Sequence, residues 1–204
     1  MTLRLNGSSS GYIEIDAPAA AGSNTLTLPT SNGSAFQSLR NGSTAGSLVF
    51  GDTAILQVVY AETTTEAEIT GTTYTDTNLT ANITPLKSDS DILVIVNQQY
   101  LSLTSSTFFT GLGIRILRGS TTIYDPVGDA TGPFDVFAQS AGSTGVNLYE
   151  HKALIYNDDS RSAGTSQLTY KTQARNYASS STAFFQYDGG TVNGTSTITL
   201  VELG

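Results

Sequence analysis

Apolar residues along this chain recur at every second position, and nowhere do they recur at i, i+3, i+4 and i+7 over three capped turns. A strand turns successive side chains to opposite faces, so this pattern calls for sheets with one buried face. Segments 55–62, 68–75, 78–84, 91–103, 111–118, 121–124, 146–157, 167–175, 183–187 and 196–203 read as strands, each bounded by turn residues. Their number and spacing suit two packed antiparallel sheets, a jelly-roll sandwich. Composition agrees: 13% of residues are charged, against about 25% in an average soluble domain. Thr, stiff at χ1, favours pleated strands, while Ser, Asn and Gly supply turns. The run from Ile92 to Val96 is apolar at every position. That marks a central strand covered on both faces, by the opposite sheet on one and by a partner subunit or a long loop on the other.

The first 52 residues differ in texture. Residues 12–16 alternate as a short strand, a small-residue loop follows at 17–23, and 24–29 read as a second strand that Pro29 closes or confines to an edge. Two such strands are not stable alone and must pack on something else, neighbouring copies of the chain among the options. Residues 30–52 are rich in turn signals around the apolar island Leu48-Val49-Phe50. They read as a connector docking through Phe36, Leu39 and that island, or as a flexible linker. The expected division is an extended β attachment region at 1–35, a connector at 36–52 and a β-jelly-roll domain at 53–204.

Several function classes recede. Cysteine is absent, which removes disulfides and thiolate metal sites. The formal net charge of −8 repels phosphate backbones, and Arg115, Arg118, Lys171 and Arg175 are too scattered to track one, so nucleic acid is not an expected partner. No apolar run approaches the roughly 20 residues of a membrane span and the opening residues lack a signal peptide's apolar stretch, so membrane insertion is not expected. Synthesis in the cytosol and departure by a route other than secretion are the expectation.

Catalytic and cofactor signals are sparse. The one histidine, His151, alternates onto a face with Tyr149 and Ala153, with no nucleophile or orienting acid nearby in sequence. The acid pairs Asp89 and Asp91, Asp125 and Asp129, and Asp158 and Asp159 raise the question of glycoside cleavage, but paired acids in turns are ordinary solvated residues. Calcium would be the metal of choice for such oxygen ligands, although no EF-hand loop occurs. Gly111 and Gly113 lack the third glycine of a dinucleotide cradle and read as a close approach of strands. The expectation is a non-enzyme without metal or cofactor.

The residues from Leu3 to Pro29 (LRLNGSSSGYIEIDAPAAAGSNTLTLP) resemble a segment recurring in fibre-like structural proteins of marine and cyanobacterial tailed phages. The rest resembles the C-terminal β-domain of those proteins through ILQVV at 55–59, ITPLKSDSDILVIV at 83–96, ILRGSTTIY at 116–124 and STITLVEL at 196–203. Such domains are similar in topology to trimeric C1q and tumour-necrosis-factor-type jelly rolls. The resemblance implies a homotrimeric, surface-exposed virion protein whose partners are itself, other phage virion proteins of capsid or tail, and a host-surface glycan or receptor. Leu3, Leu5, Tyr12, Ile13, Ile15, Leu26 and Leu28 are then the candidates for attachment to the virion. Tyr170, Tyr177, Phe184, Phe185 and Tyr187 are candidates for either a trimer interface or the sandwich core. The polar loops at 128–145 and 158–166 are candidate host contacts. No long shaft or heptad repeat joins the two regions, which brings a capsid decoration protein alongside the tail-fibre reading, with a polysaccharide depolymerase behind both.

Overall fold

The computed structural model describes residues 3–16, 18–20, 22–104, 109–126, 136–139, 147–161, 164–177, 181–187 and 194–204. The chain divides into two units, Met1–Thr53 and Ala54–Gly204.

The first unit holds two separate two-stranded sheets. β1 (Leu3–Asn6) pairs antiparallel with β2 (Tyr12–Ile15) in the register Leu3 to Ile15, Arg4 to Glu14, Leu5 to Ile13 and Asn6 to Tyr12. The hairpin partner of residues 12–15 is therefore the segment before them. Residues 24–29 form no strand; Thr27 makes a single parallel bridge to Ser47. The reason is local: Pro29 cannot donate, and the bridge runs through the Thr27 N–H and C=O, which meet Gly46 O and Leu48 N. Gly46 is required at that bridge, since its φ is +77° and a Cβ would run into the Thr25 carbonyl. The segment read as a connector is itself a hairpin, β3 (Gln37–Asn41) against β4 (Leu48–Asp52). Nearly every large apolar side chain in this unit is exposed, including Leu3, Leu5, Ile13, Ile15, Leu26, Leu28, Phe36, Leu39 and Phe50.

The second unit contains β5 (Ile55–Thr63), β6 (Ala67–Ile69), β7 (Thr75–Ile83), β8 (Asp91–Thr104), β9 (Phe109–Arg118), β10 (Thr121–Tyr124), β11 (Val136–Gln139), β12 (Asn147–Asp158), β13 (Leu168–Asn176), β14 (Ser181–Phe185) and β15 (Ser196–Leu203). One sheet runs β5-β15-β8, with β12 on the far side of β8 and β14-β6 continuing beside its second half. The other runs β10-β9-β13-β7, with β11 also on β9. Among the principal strands β5, β7, β8, β9, β10, β12, β13 and β15, taken in chain order, the first sheet carries the first, eighth, third and sixth. The second carries the second, seventh, fourth and fifth. That interleaving is the jelly roll of two Greek keys.

Strand boundaries follow the alternation to within a few residues, with three departures. The segment 68–75 is cut in two at Gly71, whose carbonyl accepts the Asn176 N–H at 2.9 Å and so ends one strand before the next begins. β11 was not anticipated. Residues 186 and 187 drop out of the segment at 183–187 because Gln186 turns to φ +53°.

The core lies between the sheets. Ile92, Val94, Val96 and Tyr100 of β8 with Ile198 and Leu200 of β15 face Leu79, Ile83, Leu112, Ile114, Ile116 and Tyr170 of the other sheet, and all are buried. Gly111 and Gly113 lie in β9, where Gly113 pairs with Arg175 and the Gly111 carbonyl accepts the Tyr177 N–H at 2.9 Å. Deleting buried aliphatic atoms leaves a cavity, so Leu200→Ala is expected to destabilise the protein by about 2–5 kcal/mol. Urea denaturation followed by circular dichroism measures it.

Candidate assembly surface

Polar side chains in the interior of the second unit are spent on holding it together. Thr77 (β7) and Thr172 (β13) meet at 2.5 Å, and Thr172 donates across the sandwich to the Gln98 side chain of β8 at 2.7 Å. Gln98 Nε2 donates to Ser196 Oγ of β15 at 2.9 Å. The Gln186 amide closes the network when its oxygen accepts from Ser196 Oγ at 2.6 Å and Gln98 Nε2 at 2.8 Å, and its nitrogen donates to the Thr65 and Thr77 carbonyls. These five residues are buried, and each bond made across the gap fixes the relative register of the sheets.

Two carboxylates are similarly committed. Arg118 Nη1 donates to both oxygens of the buried Asp158 at 2.6 Å, and Tyr170 Oη donates to the same group at 2.7 Å. Burial, reinforced by that hydrogen bond, pushes the Tyr170 hydroxyl far above its ordinary pKa. Glu202, buried on β15, receives the Leu86 and Lys87 amides, Ser90 Oγ and Gln57 Nε2, clasping the turn that precedes β8. Burial raises its pKa, but the hydrogen bonds outweigh it and hold the carboxyl below the ordinary value of 4.5. Arg161 ties the same turn from the other side, donating to the carbonyls of Ser90 and Lys87 and to Ser90 Oγ. The loop at 158–166 is thus anchored by Asp158 and Arg161, while the loop at 128–145 lies largely outside the described residues.

The outer face of the β5-β15-β8-β12 sheet is different. Registers place Tyr60, Thr199, Ile95 and Ile155 in one row across the four strands, and Val58, Val201, Leu93 and Asn157 in the next. Ile55 and Leu203 extend the second row toward the sheet's end. Val58, Tyr60 and Ile155 are each more than half exposed, and Ile95, on the central strand, is 37% exposed. The flanking row, Glu62, Thr197, Asn97 and Ala153, is polar for most of its width. An apolar centre with a polar rim is the anatomy of a protein interface, and an open patch this wide exceeds what scattered surface residues produce. So β8 is covered by the opposite sheet on one face, while its other face is open over Ile95 and Asn97 and closes again at Leu101 in the single chain.

The aromatic candidates divide between core and surface. Tyr170 and Phe185 are fully buried, Phe185 lying 6.1 Å from the Tyr100 ring. Phe184 stands on the outer side, in register with Leu101 and Tyr149, and Tyr187 joins it at 5.6 Å and Tyr149 at 6.2 Å. Tyr177 is exposed apart from these. In the first unit, Leu3, Leu5, Ile13 and Ile15 share one face of the β1–β2 hairpin. Tyr12 lies on the other, under the Arg4 guanidinium at 4.0 Å. Leu26 and Leu28 are exposed beyond the hairpin.

Other candidates sit apart from one another. His151 is exposed on the outer face of β12, in register with Gln99. Asp91 accepts from Asn157 at 3.2 Å and Asp125 from Tyr74 at 3.1 Å, and Asp158 is buried while its neighbour Asp159 is exposed, so that pair does not face one cleft. Asp129 lies outside the described residues. The basic residues are occupied: Arg115 and Arg175 both stack on Tyr74, Lys171 pairs with Asp76 at 2.8 Å, and Arg118 pairs with Asp158. Among the described residues no group of three His, Cys, Asp or Glu is placed to hold a metal, and no helix is long and apolar enough to cross a membrane. The sequence did not reveal the row of Tyr60, Ile95 and Ile155, because it exists only once four strands are in register; the doubly apolar run at 92–96 was its one visible trace.

No protein-family model and no curated protein matches this chain. Solved structures similar to it include that of infectious bursal disease virus Gx strain, at 12% identity and a TM-score of 0.28 over 80% of this chain and 42% of that one. The VP2 subviral particle of the same virus is similar at 12% identity and a TM-score of 0.22, covering 82% and 42% of the two chains. T=1 particles derived from that virus give 14% and 0.23, covering 81% and 40%. The chain spans less than half the length of these matched chains, and at such TM-scores the likeness carries no inference about it.

A carboxyl with a lower pKa in the folded than in the unfolded state adds stability above its ordinary pKa, and that contribution is lost as the pH falls through the folded value. Glu202→Gln is therefore expected to cost about 1–3 kcal/mol at neutral pH. It should also flatten the loss of stability that the parent protein suffers as the pH falls below 4.5. Denaturant midpoints collected from neutral to acid pH check both.

Proposed function

We propose that this chain is a non-enzymatic structural protein of a bacteriophage particle, a homotrimeric tail-fibre or appendage module exposed for contact with the host surface. The observation that carries the reading is the open apolar face of the β5-β15-β8-β12 sheet on a sandwich whose two sheets are tied together inside by Thr77, Thr172, Gln98, Ser196 and Gln186. Such a body is built to be a rigid piece of an assembly. One side of a stable interface buries on the order of 800 Å², and Tyr60, Ile95, Ile155 and their half-buried neighbours are the residues that would supply it. The trimer count and the phage assignment come from the sequence resemblance, which the jelly roll suits, although jelly rolls serve lectins and cupins as well as capsids. The exposed leucines and isoleucines of the first unit support a second element that works against a partner.

One observation favours an alternative place on the same particle. The hairpin of β3 and β4 leads at Thr53 directly into the sandwich, with no repetitive shaft between, and this suits a capsid decoration protein.

Two experiments test the reading. Light scattering is expected to give three times the 21.4 kDa chain mass, and Ile95→Lys with Ile155→Lys is expected to lower it to that of one folded chain. Imaging of particles carrying a tagged copy is expected to place the tag on the tail; a tag on the head selects decoration, and particles without the protein overturn the proposal.

A further inference from the structure

Each face of the β1–β2 hairpin has its own chemistry. Arg4 Nε donates to Glu14 at 2.6 Å, and the same guanidinium covers the Tyr12 ring, so that face is satisfied in water. The other face consists of Leu3, Leu5, Ile13 and Ile15 alone, aligned as two cross-strand pairs and 58%, 55%, 70% and 62% exposed. An isolated two-stranded hairpin is at best marginal, and this one leaves its whole apolar side in solvent. Something covers it.

We infer that the apolar faces of three β1–β2 hairpins, one from each copy, pack against one another around the three-fold axis as a small triangular prism. The inference rests on the homotrimer of the proposed function and names a second contact within it. Three observations select sibling hairpins over another occupant. First, residues 16–53 tether each hairpin to its own sandwich, so trimerised sandwiches hold the three hairpins at a raised effective concentration before any other partner arrives. Second, residues 1–53 carry two basic and three acidic side chains of the chain's 9 and 17, so nearly all the mutual repulsion belongs to the other unit and three hairpins converge at little electrostatic cost. Third, three copies bring twelve aliphatic side chains and on the order of 1,400 Å² of apolar surface to one axis, within the range of stable interfaces. The Arg4–Glu14 faces stay outside, and Leu26 and Leu28 remain for the particle.

The chain has no cysteine, so a single introduced thiol is a unique probe. Ile13→Cys and Asn6→Cys place one on the apolar and on the opposite face of the same hairpin. Oxidation of the full-length Ile13→Cys protein is expected to yield disulfide-linked pairs of chains while the mass in solution stays at three times 21.4 kDa. The Asn6→Cys protein is expected to stay uncrosslinked. Trimers in which neither thiol crosslinks, or both do equally, overturn the prism and leave the trimer standing, as do crosslinks that appear only with a rise in mass. A parent protein that runs as a single chain overturns the trimer and the prism with it.

Discussion

Strand β8 is the constraint on which the rest of this structure depends. It is the longest strand, hydrogen-bonded on one edge to β12 and on the other to β15 and then β14. A strand has only two faces, and the period of two sends Ile92, Val94, Val96, Gln98 and Tyr100 inward and Leu93, Ile95, Asn97 and Gln99 outward. The inward set carries both the aliphatic core and, through Gln98, the polar bonds to the opposite sheet. Because slippage by one residue would exchange the sets, the same packing that fixes the register also fixes which apolar side chains are left outside.

This division explains why part of the molecule was legible in its sequence. Alternation is a local property, so the long strands of the second unit and the all-β sandwich could be read directly. Short strands depend on partners: β11, β3 and β4 gave too little pattern to identify, and 24–29 alternates as a strand should but finds only one bridge. Burial of the aromatics was ambiguous for a related reason, since Phe184 and Phe185 are neighbours in sequence that a strand sends to opposite faces. The networks around Glu202 and Gln98 join residues far apart in the chain, and nothing in the sequence near Glu202 hints that it closes the turn at 86–90.

The polar interior also has a functional side. Asp158 and Asp159 looked like a candidate acid pair, yet Asp158 is held by Arg118 and Tyr170, with its carboxylate turned inward. Buried charges of this kind favour one arrangement of the strands over others, which is compatible with the structural role proposed above. The first unit follows the opposite rule. It buries almost none of its large apolar side chains, which is why the proposed contact between hairpins, and not an internal core, is asked to stabilise it.

The central claim is that the open face of the β5-β15-β8-β12 sheet is a contact between copies of the chain. A side-chain-resolution structure of the assembled protein tests it most directly. The account predicts Tyr60, Ile95 and Ile155 buried against neighbouring copies, with Glu62 and Asn97 at the rim. An assembly held together elsewhere, with that row still open to solvent, would contradict it.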